Sequence, residues 1–319
     1  MRAPPAKDNN ALVGIASLSL GVLVFSVQDA ILKGMAGSYP ISEALVLRTI
    51  VAVPIIVALI ARGSGLAALS TPNAGFLLVR ALVGFGAYTC YYLALAALPL
   101  GAAVALFFAV PLIIAALSGP ILGERPRRAT WIAILIGVLG VAVMLRPGST
   151  LLQPAAFLSL MAAFLYATQQ IMARKVGGQE SAAVMSFYQN AVFLGLALAA
   201  AVLMPAPADG AEVHPSLAFL MRPWVWPTTL DLALMASCGV IAAAGTILLT
   251  HAYRVAPANT VASFEYTALI WSPLWGFLFF KEIPAITTVI GGGLIVIAGL
   301  VAIAADSRAR PVQNAEPGL

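Results

Sequence analysis

The chain is a succession of long apolar runs interrupted by short polar punctuation. Cutting at charges, Pro and Gly leaves ten segments, at 11–33, 41–62, 74–98, 101–122, 128–145, 152–174, 181–204, 229–254, 258–280 and 284–305. Each is close to the roughly 20 residues that a helix needs to cross a bilayer core. The pattern therefore predicts an all-α integral membrane protein of ten transmembrane helices. Two cuts are thin: "LPLG" separates the third and fourth spans, and "RVAPAN" the eighth and ninth. In both, a Pro beside small residues supplies the break. The first run exceeds the h-region of a cleaved signal peptide and contains Gln28 and Asp29, so it reads as a retained span.

Composition agrees. Of 319 residues, 61% are hydrophobic and 9% charged, against about 25% charged in a soluble domain. Net charge then matters less than where Lys and Arg fall. One side collects eleven of them: Arg2, Lys7, Arg62, Arg125, Arg127, Arg128, Arg174, Lys175, Arg254, Arg308 and Arg310. The other collects four: Lys33, Arg146, Arg222 and Lys281. The excess predicts that both termini are cytoplasmic, and an even number of spans puts both termini on one side, in agreement.

The chain also repeats itself. Glu124 and Pro126 recur 158 residues later as Glu282 and Pro284, and Pro99 recurs as Pro257 at the same offset. "FSVQDAILK" at 25–33 is echoed by "YATQQIMAR" at 166–174, which aligns Gln28 with Gln169 and Lys33 with Arg174. Five spans on each side of residue 146 force the second half to enter the membrane upside down, the pattern of an inverted-topology repeat. The expected organisation is a cytoplasmic tail (1–10), a first five-helix repeat (11–145) and an external linker (146–151). A second repeat (152–305) with a long external loop (205–228) and a cytoplasmic tail (306–319) follow.

These paired stretches, "ALPLGAAVALFFAVPLIIAALSGPILGERP" and "RVAPANTVASFEYTALIWSPLWGFLFFKEIP", resemble the paired signature of the drug/metabolite transporter superfamily, EamA type. The resemblance covers about residues 11–305. It departs at Lys281, where the family often has Gly, and in the longer loop 205–228. It implies two inverted five-helix halves around a central cavity and the movement of small metabolites, often outward and in some members amino acids. The expected location is the bacterial inner (cytoplasmic) membrane. The expected partners are a small-molecule substrate and the bilayer, with no nucleic acid, and a monomer is compatible with the sequence.

Ionisable groups within spans are costly and are functional candidates by default. Glu265, seven residues into the ninth span, is the foremost, as a proton carrier or as an anchor for a cationic group. A carboxyl held neutral for packing is the alternative. His251, Gln169, Tyr188 and Gln189, with Gln170 and Asn190, fall at similar depth and could join it. On the opposite side Asp29 and Lys33 share a helix face by their spacing of four, and Arg48 lies at a depth where it could pair with Asp29. These three are ion-pair or gating candidates, and Arg48, common at this place in the family, would suit a carboxylate if it faced the cavity. Tyr88, Tyr91 and Tyr92 share one face and Trp271 lies on the ninth span, so these aromatics are candidate cavity walls, with core packing the alternative. Arg80 reads as a snorkelling anchor. Pro54, Pro111 and Pro273 could kink their helices.

Cys90 and Cys238 sit in apolar segments and suggest neither a disulfide nor a metal site. No metal or cofactor is expected. The chain lacks H-E-x-x-H, G-x-S-x-G and P-loop motifs, which argues against an intramembrane enzyme. The expected function is a secondary transporter of a small amphipathic metabolite, most of all an exporter of amino acids. Uptake or facilitated diffusion of another metabolite such as a vitamin or nucleobase, or a channel-like permease, remains the alternative.

Overall fold

The computed structural model describes residues 11–123, 128–145, 154–203 and 214–283, with separate positions between 286 and 301. Among them the chain is helical throughout its regular structure. Six helices are long and apolar enough to cross a membrane: α1 (Ala11–Met35), α2 (Ile41–Arg62), α3 (Ala74–Ala97), α7 (Pro154–Val176), α8 (Ala182–Leu203) and α10 (Thr229–Val255). Shorter apolar helices accompany them: α4 (Leu100–Phe107), α5 (Val110–Leu122), α6 (Arg128–Leu145), α11 (Ala258–Ala262) and α12 (Ala268–Phe280). A further short helix, α9 (Pro215–Met221), lies between α8 and α10. Of the expected span 284–305, the described positions are helical, while Glu124, Pro126 and Pro284 lie outside the described residues.

The expected fourth and ninth spans are not continuous helices. Pro111 has no N–H to give to the carbonyl of Phe107, and its ring would clash there. So α4 stops at Phe107 and α5 restarts at Val110, with Pro111 in the first turn, where a missing donor costs nothing. The ninth span breaks without a proline. Phe264 N–H bonds to Val261 O and Thr267 N–H to Phe264 O, i→i+3 bonds that tighten Glu265–Thr267 into a 3₁₀ turn. The hydroxyls of Ser263 and Thr267 back-bond to Asn259 O and Phe264 O at 3.2 and 2.8 Å, competing with the helical ladder. Pro54 and Pro273, by contrast, sit inside unbroken helices.

The longest helices pack as a ring. The most extensive contacts are α1 on α10, α3 on α7 and α2 on α8, with α10 also on α2 and α3 also on α8. The broken spans close it: α4 and α5 lean on α7, α11 and α12 on α1, and the two meet as α4 on α12 and α5 on α11. The outer surface is apolar, with Ile132, Leu135 and Leu139 of α6 more than half exposed. Inside lie Gln28, Arg48, Arg80, Gln169, Gln170 and Asn190, all at most 3% exposed. Polar groups collected inside an apolar shell are the arrangement expected when lipid is the solvent.

The segment around α9 caps one end of the ring, the end where α1 turns into α2. Ser216 Oγ donates to Leu93 O at 2.6 Å, Arg222 Nη1 to Ala36 O at 2.7 Å, and Trp224 Nε1 to Ser42 Oγ at 3.0 Å. At the same end Lys33 pairs with Glu282 at 3.8 Å and donates to Leu98 O at 2.9 Å. At the other end, where α2 turns toward α3, Glu180 accepts from Thr71 and Asn73, and Arg254 Nε donates to Glu180 O at 2.9 Å.

Candidate functional site: a charged cavity inside the helical ring

A cavity of about 150 Å3 lies within the ring, with walls from α1, α2, α3, α7, α8 and α10 and from both helix breaks. Its polar groups gather at two poles. Toward the α1–α2 end is Asp29, whose Oδ1 accepts from Tyr92 Oη at 2.5 Å and whose Oδ2 accepts from Tyr91 Oη at 3.0 Å. Gln28 Nε2 donates to Tyr92 Oη at 3.0 Å. Arg48 lies over the ring of Tyr88 at 4.6 Å and near that of Phe193 at 5.8 Å, a cation–π arrangement in place of a salt bridge. It shares the pole with Asp29, but the two do not come within the 4 Å of an ion pair. Lys33, four residues along from Asp29, turns instead to Glu282.

The opposite pole is built on Glu265, which is 5% exposed. Its Oε1 accepts two phenol hydroxyls, from Tyr166 on α7 and Tyr253 on α10, each at 2.8 Å. The break between α11 and α12 puts Glu265 on a tight turn instead of a helix face, and brings it to the cavity wall. Beside it, Gln189 Oε1 accepts from Gln169 Nε2 at 2.8 Å and from Arg80 Nη1 at 3.4 Å, while Arg80 Nη2 donates to Thr250 Oγ1 at 3.2 Å. Arg80 is thus no snorkelling anchor. It is 1% exposed and braces two cavity-lining residues, because polar neighbours on α8 and α10 receive it where lipid cannot. Gly84 makes room for this cluster: a Cβ there would run into the Gln169 amide.

A row of rings joins the poles. Tyr91 stands 5.1 Å from Phe107, and Phe107 stands 5.2 Å from Tyr166, centroid to centroid. The first ring belongs to a tyrosine that holds Asp29, and the last to one that holds Glu265.

Of the candidates read from the sequence, Asp29, Arg48, Tyr88, Tyr91, Tyr92, Gln169, Gln189 and Glu265 all line this cavity. Four do not. Tyr188 donates to Leu69 O at 2.8 Å near the α2–α3 end, Lys33 is taken by Glu282, and His251 and Trp271 are half-buried outside the cavity wall. Sequence reasoning passed over Tyr166, Tyr253, Phe107 and Phe108. A signal existed for Tyr166, since positions 166, 169 and 170 repeat the i, i+3, i+4 spacing of Tyr88, Tyr91 and Tyr92. None marked Phe107, whose position depends on the helix break. Among the described residues no group of three or more His, Cys, Asp or Glu could hold a metal ion.

Comparison with known proteins agrees with this architecture. Residues 12–146 match the EamA-like transporter family. The chain is 29% identical over 287 residues to the pseudopaline exporter CntI of Pseudomonas aeruginosa, covering 89% of this chain and 94% of that protein. It is 26% identical over 301 residues to an S-adenosylmethionine uptake transporter of Rickettsia prowazekii, covering 93% and 94%. It is 29% identical over 240 residues to a riboflavin transporter of Rhizobium johnstonii, covering 74% and 72%. A crystal structure sharing 21% identity superposes with a TM-score of 0.73 over 94% of this chain and all of the other, a likeness of fold. These names are transporters and not enzymes. An EamA-like match over the first part of the chain, an apolar helical shell and similarity to named transporters along most of the length support an integral membrane protein that resembles the EamA-type drug/metabolite transporters.

Proposed function

We propose that this protein is a secondary transporter that exports a small amphipathic metabolite, with amino acids as the leading class. It works by alternating access between two inverted five-helix halves, 11–145 and 152–305, in the bacterial inner membrane with both termini cytoplasmic. The observation that carries the reading is the cavity itself. It collects buried carboxylates, a guanidinium, amides and phenols inside an otherwise apolar shell, at a cost that a purely structural interior has no reason to bear.

The packing supports the inverted halves. Exchanging the spans of one half for those of the other (α1 for α7, α2 for α8, α3 for α10) turns the α1–α10 contact into α7–α3, and α2–α10 into α8–α3. All four are extensive contacts, and α2–α8 maps onto itself. The breaks obey the same exchange, since Phe107 and Glu265 are 158 residues apart. Outward movement is favoured by the likeness to the pseudopaline exporter. Uptake is the second reading, favoured by the likeness to the S-adenosylmethionine uptake transporter.

The test is counterflow in proteoliposomes preloaded with an unlabelled mixture of amino acids, nucleobases and vitamins, with and without a pH gradient. Saturable accumulation of a labelled amino acid is the expected result. Uptake that is linear in concentration without counterflow, from demonstrably folded protein, would turn the assignment to a channel. Orientation of the reconstituted protein, read by protease access to the termini, separates export from uptake.

A further inference from the structure

Two groups on the cavity wall are left unsatisfied by the protein, and they carry opposite charges. Arg48 is 1% exposed, yet its Nε and Nη1 have no hydrogen-bond partner. A guanidinium presents five donors in a planar fork shaped for a carboxylate, and a buried charge without hydrogen bonds is expensive to hold. Asp29 does not relieve it. Each of its oxygens already accepts a tyrosine hydroxyl, and it lies beyond ion-pair distance of Arg48. At the other pole both tyrosines bond to Oε1 of Glu265, while Oε2 accepts from no donor among the described residues. The wall between is apolar: the rings of Tyr91, Phe107 and Tyr166 form two steps of 5.1 and 5.2 Å.

Resting on the transporter reading above, we propose that the ligand is a zwitterion with separated charges, its carboxylate on the fork of Arg48 and a cationic group on Oε2 of Glu265, with a short apolar chain along the ring row. The class is that of amino acids with a cationic side chain. A single guanidinium, with Asp29 at the same pole, fits a singly charged carboxylate better than a doubly charged phosphate. In this assignment Asp29 is a positioning residue: it anchors Tyr91 and Tyr92, and through Tyr92 holds Gln28.

The experiment uses the full chain in lipid nanodiscs and three probes of nearly equal length, read by ligand-induced shifts in melting temperature. L-lysine has all the charged groups, norleucine lacks the side-chain ammonium, and cadaverine lacks the carboxylate. Lysine should stabilise the parent protein, with the other two needing concentrations roughly tenfold higher or more, the worth of one charged hydrogen-bonded contact. In R48Q lysine should lose its advantage over cadaverine, and in E265Q its advantage over norleucine. Without ligand, R48Q should melt no lower than the parent, because it removes a buried charge that has no salt bridge among the described residues and leaves Nε and Nη1 without hydrogen bonds. If R48Q fails to fold, R48K keeps the charge but not the fork, and should weaken lysine severalfold while sparing cadaverine.

The proposal is overturned if lysine produces no shift, if the three probes are equivalent in the parent protein, or if lysine keeps its advantage in either variant. Its fate is separable from that of the transport reading. Lysine binding with no counterflow would sink the transport reading and leave the ligand assignment standing. Counterflow of a neutral solute, indifferent to Arg48, would do the reverse.

Discussion

The two helix breaks stand at equivalent places in the chain, 158 residues apart, and the sequence makes opposite use of them. At the first, Pro111 interrupts the hydrogen-bond ladder and the exposed corner carries a phenyl ring, Phe107. At the second, i→i+3 bonds and hydroxyl back-bonding do the interrupting, and the corner carries a carboxylate, Glu265. A break frees backbone from the helix and turns a side chain inward to the cavity. What that side chain contributes is then a separate choice. The first break supplies the middle of an apolar wall, and the second supplies a pole.

The comparison breaks most sharply at Glu265. Glu265→Gln keeps the shape and the two tyrosine contacts but removes the charge, so transport should fall by roughly tenfold to a hundredfold, the range of one charged hydrogen bond. Expression and melting temperature should change little, because Gln still offers a carbonyl oxygen to Tyr166 and Tyr253. Transport kinetics in proteoliposomes check it, and unchanged kinetics across pH in well-folded Glu265→Gln would remove Glu265 from the mechanism. Phe107→Ala should have a smaller effect. It removes two ring contacts, each worth about 0.5–1.5 kcal/mol, and should lower transport by up to about tenfold without changing which probe binds best. A change of preference among lysine, norleucine and cadaverine in Phe107→Ala would mean that the wall, and not the poles, does the selecting.

Pro111→Ala separates the break from the residue displayed on it. It restores a donor to Phe107 O and removes a residue disfavoured in helix interiors by about 3 kcal/mol, so α4 and α5 gain the option of fusing. The melting temperature should hold or rise while transport drops severalfold, as Phe107 leaves its place between Tyr91 and Tyr166. A melting temperature that falls together with transport would show instead that the broken form is the one that packs best.

These differences explain what could be read from the sequence in advance. Apolar run length fixes helices in lipid, so α1, α2, α3, α6, α7, α8 and α10 follow the expected spans to within a few residues. The breaks were not legible. Pro111 was visible as a kink candidate, but so were Pro54 and Pro273, which sit in unbroken helices. No proline marks the turn at Glu265, where side-chain hydroxyls compete with the ladder. Depth in the membrane brought together residues that share a cavity: Asp29, Arg48, Gln169, Gln189 and Glu265 line it. It could not tell helix faces apart. Tyr188 and His251 are at suitable depths but do not line the cavity, while Arg80, near a helix end in sequence, is buried beside it. Depth is set by counting along one helix. Facing is set by neighbours, and those come from packing between distant segments.

The smallest expected effect concerns the ends of the broken spans. Gly123 closes α5 with φ 71° and Lys281 closes α12 with φ 55°, the same left-handed cap at the same 158-residue offset. Gly adopts that backbone freely, whereas a residue with a Cβ pays roughly 1–2 kcal/mol for it. The cap is otherwise well made, since Lys281 N–H reaches Phe277 O at 3.2 Å and Glu282 N–H reaches Gly276 O at 3.0 Å. Those bonds hold Lys281 in the strained region and place Glu282 where it meets Lys33. Lys281→Gly should therefore stabilise the protein by about 1 kcal/mol and leave transport unchanged, and Gly123→Lys should destabilise it by a similar amount. Denaturation in detergent measures both. If Lys281→Gly raised stability but slowed transport, the strain at this cap would be tied to the Lys33–Glu282 contact opening during the cycle. If it did neither, the lysine side chain would have to be repaying its backbone cost through contacts of its own.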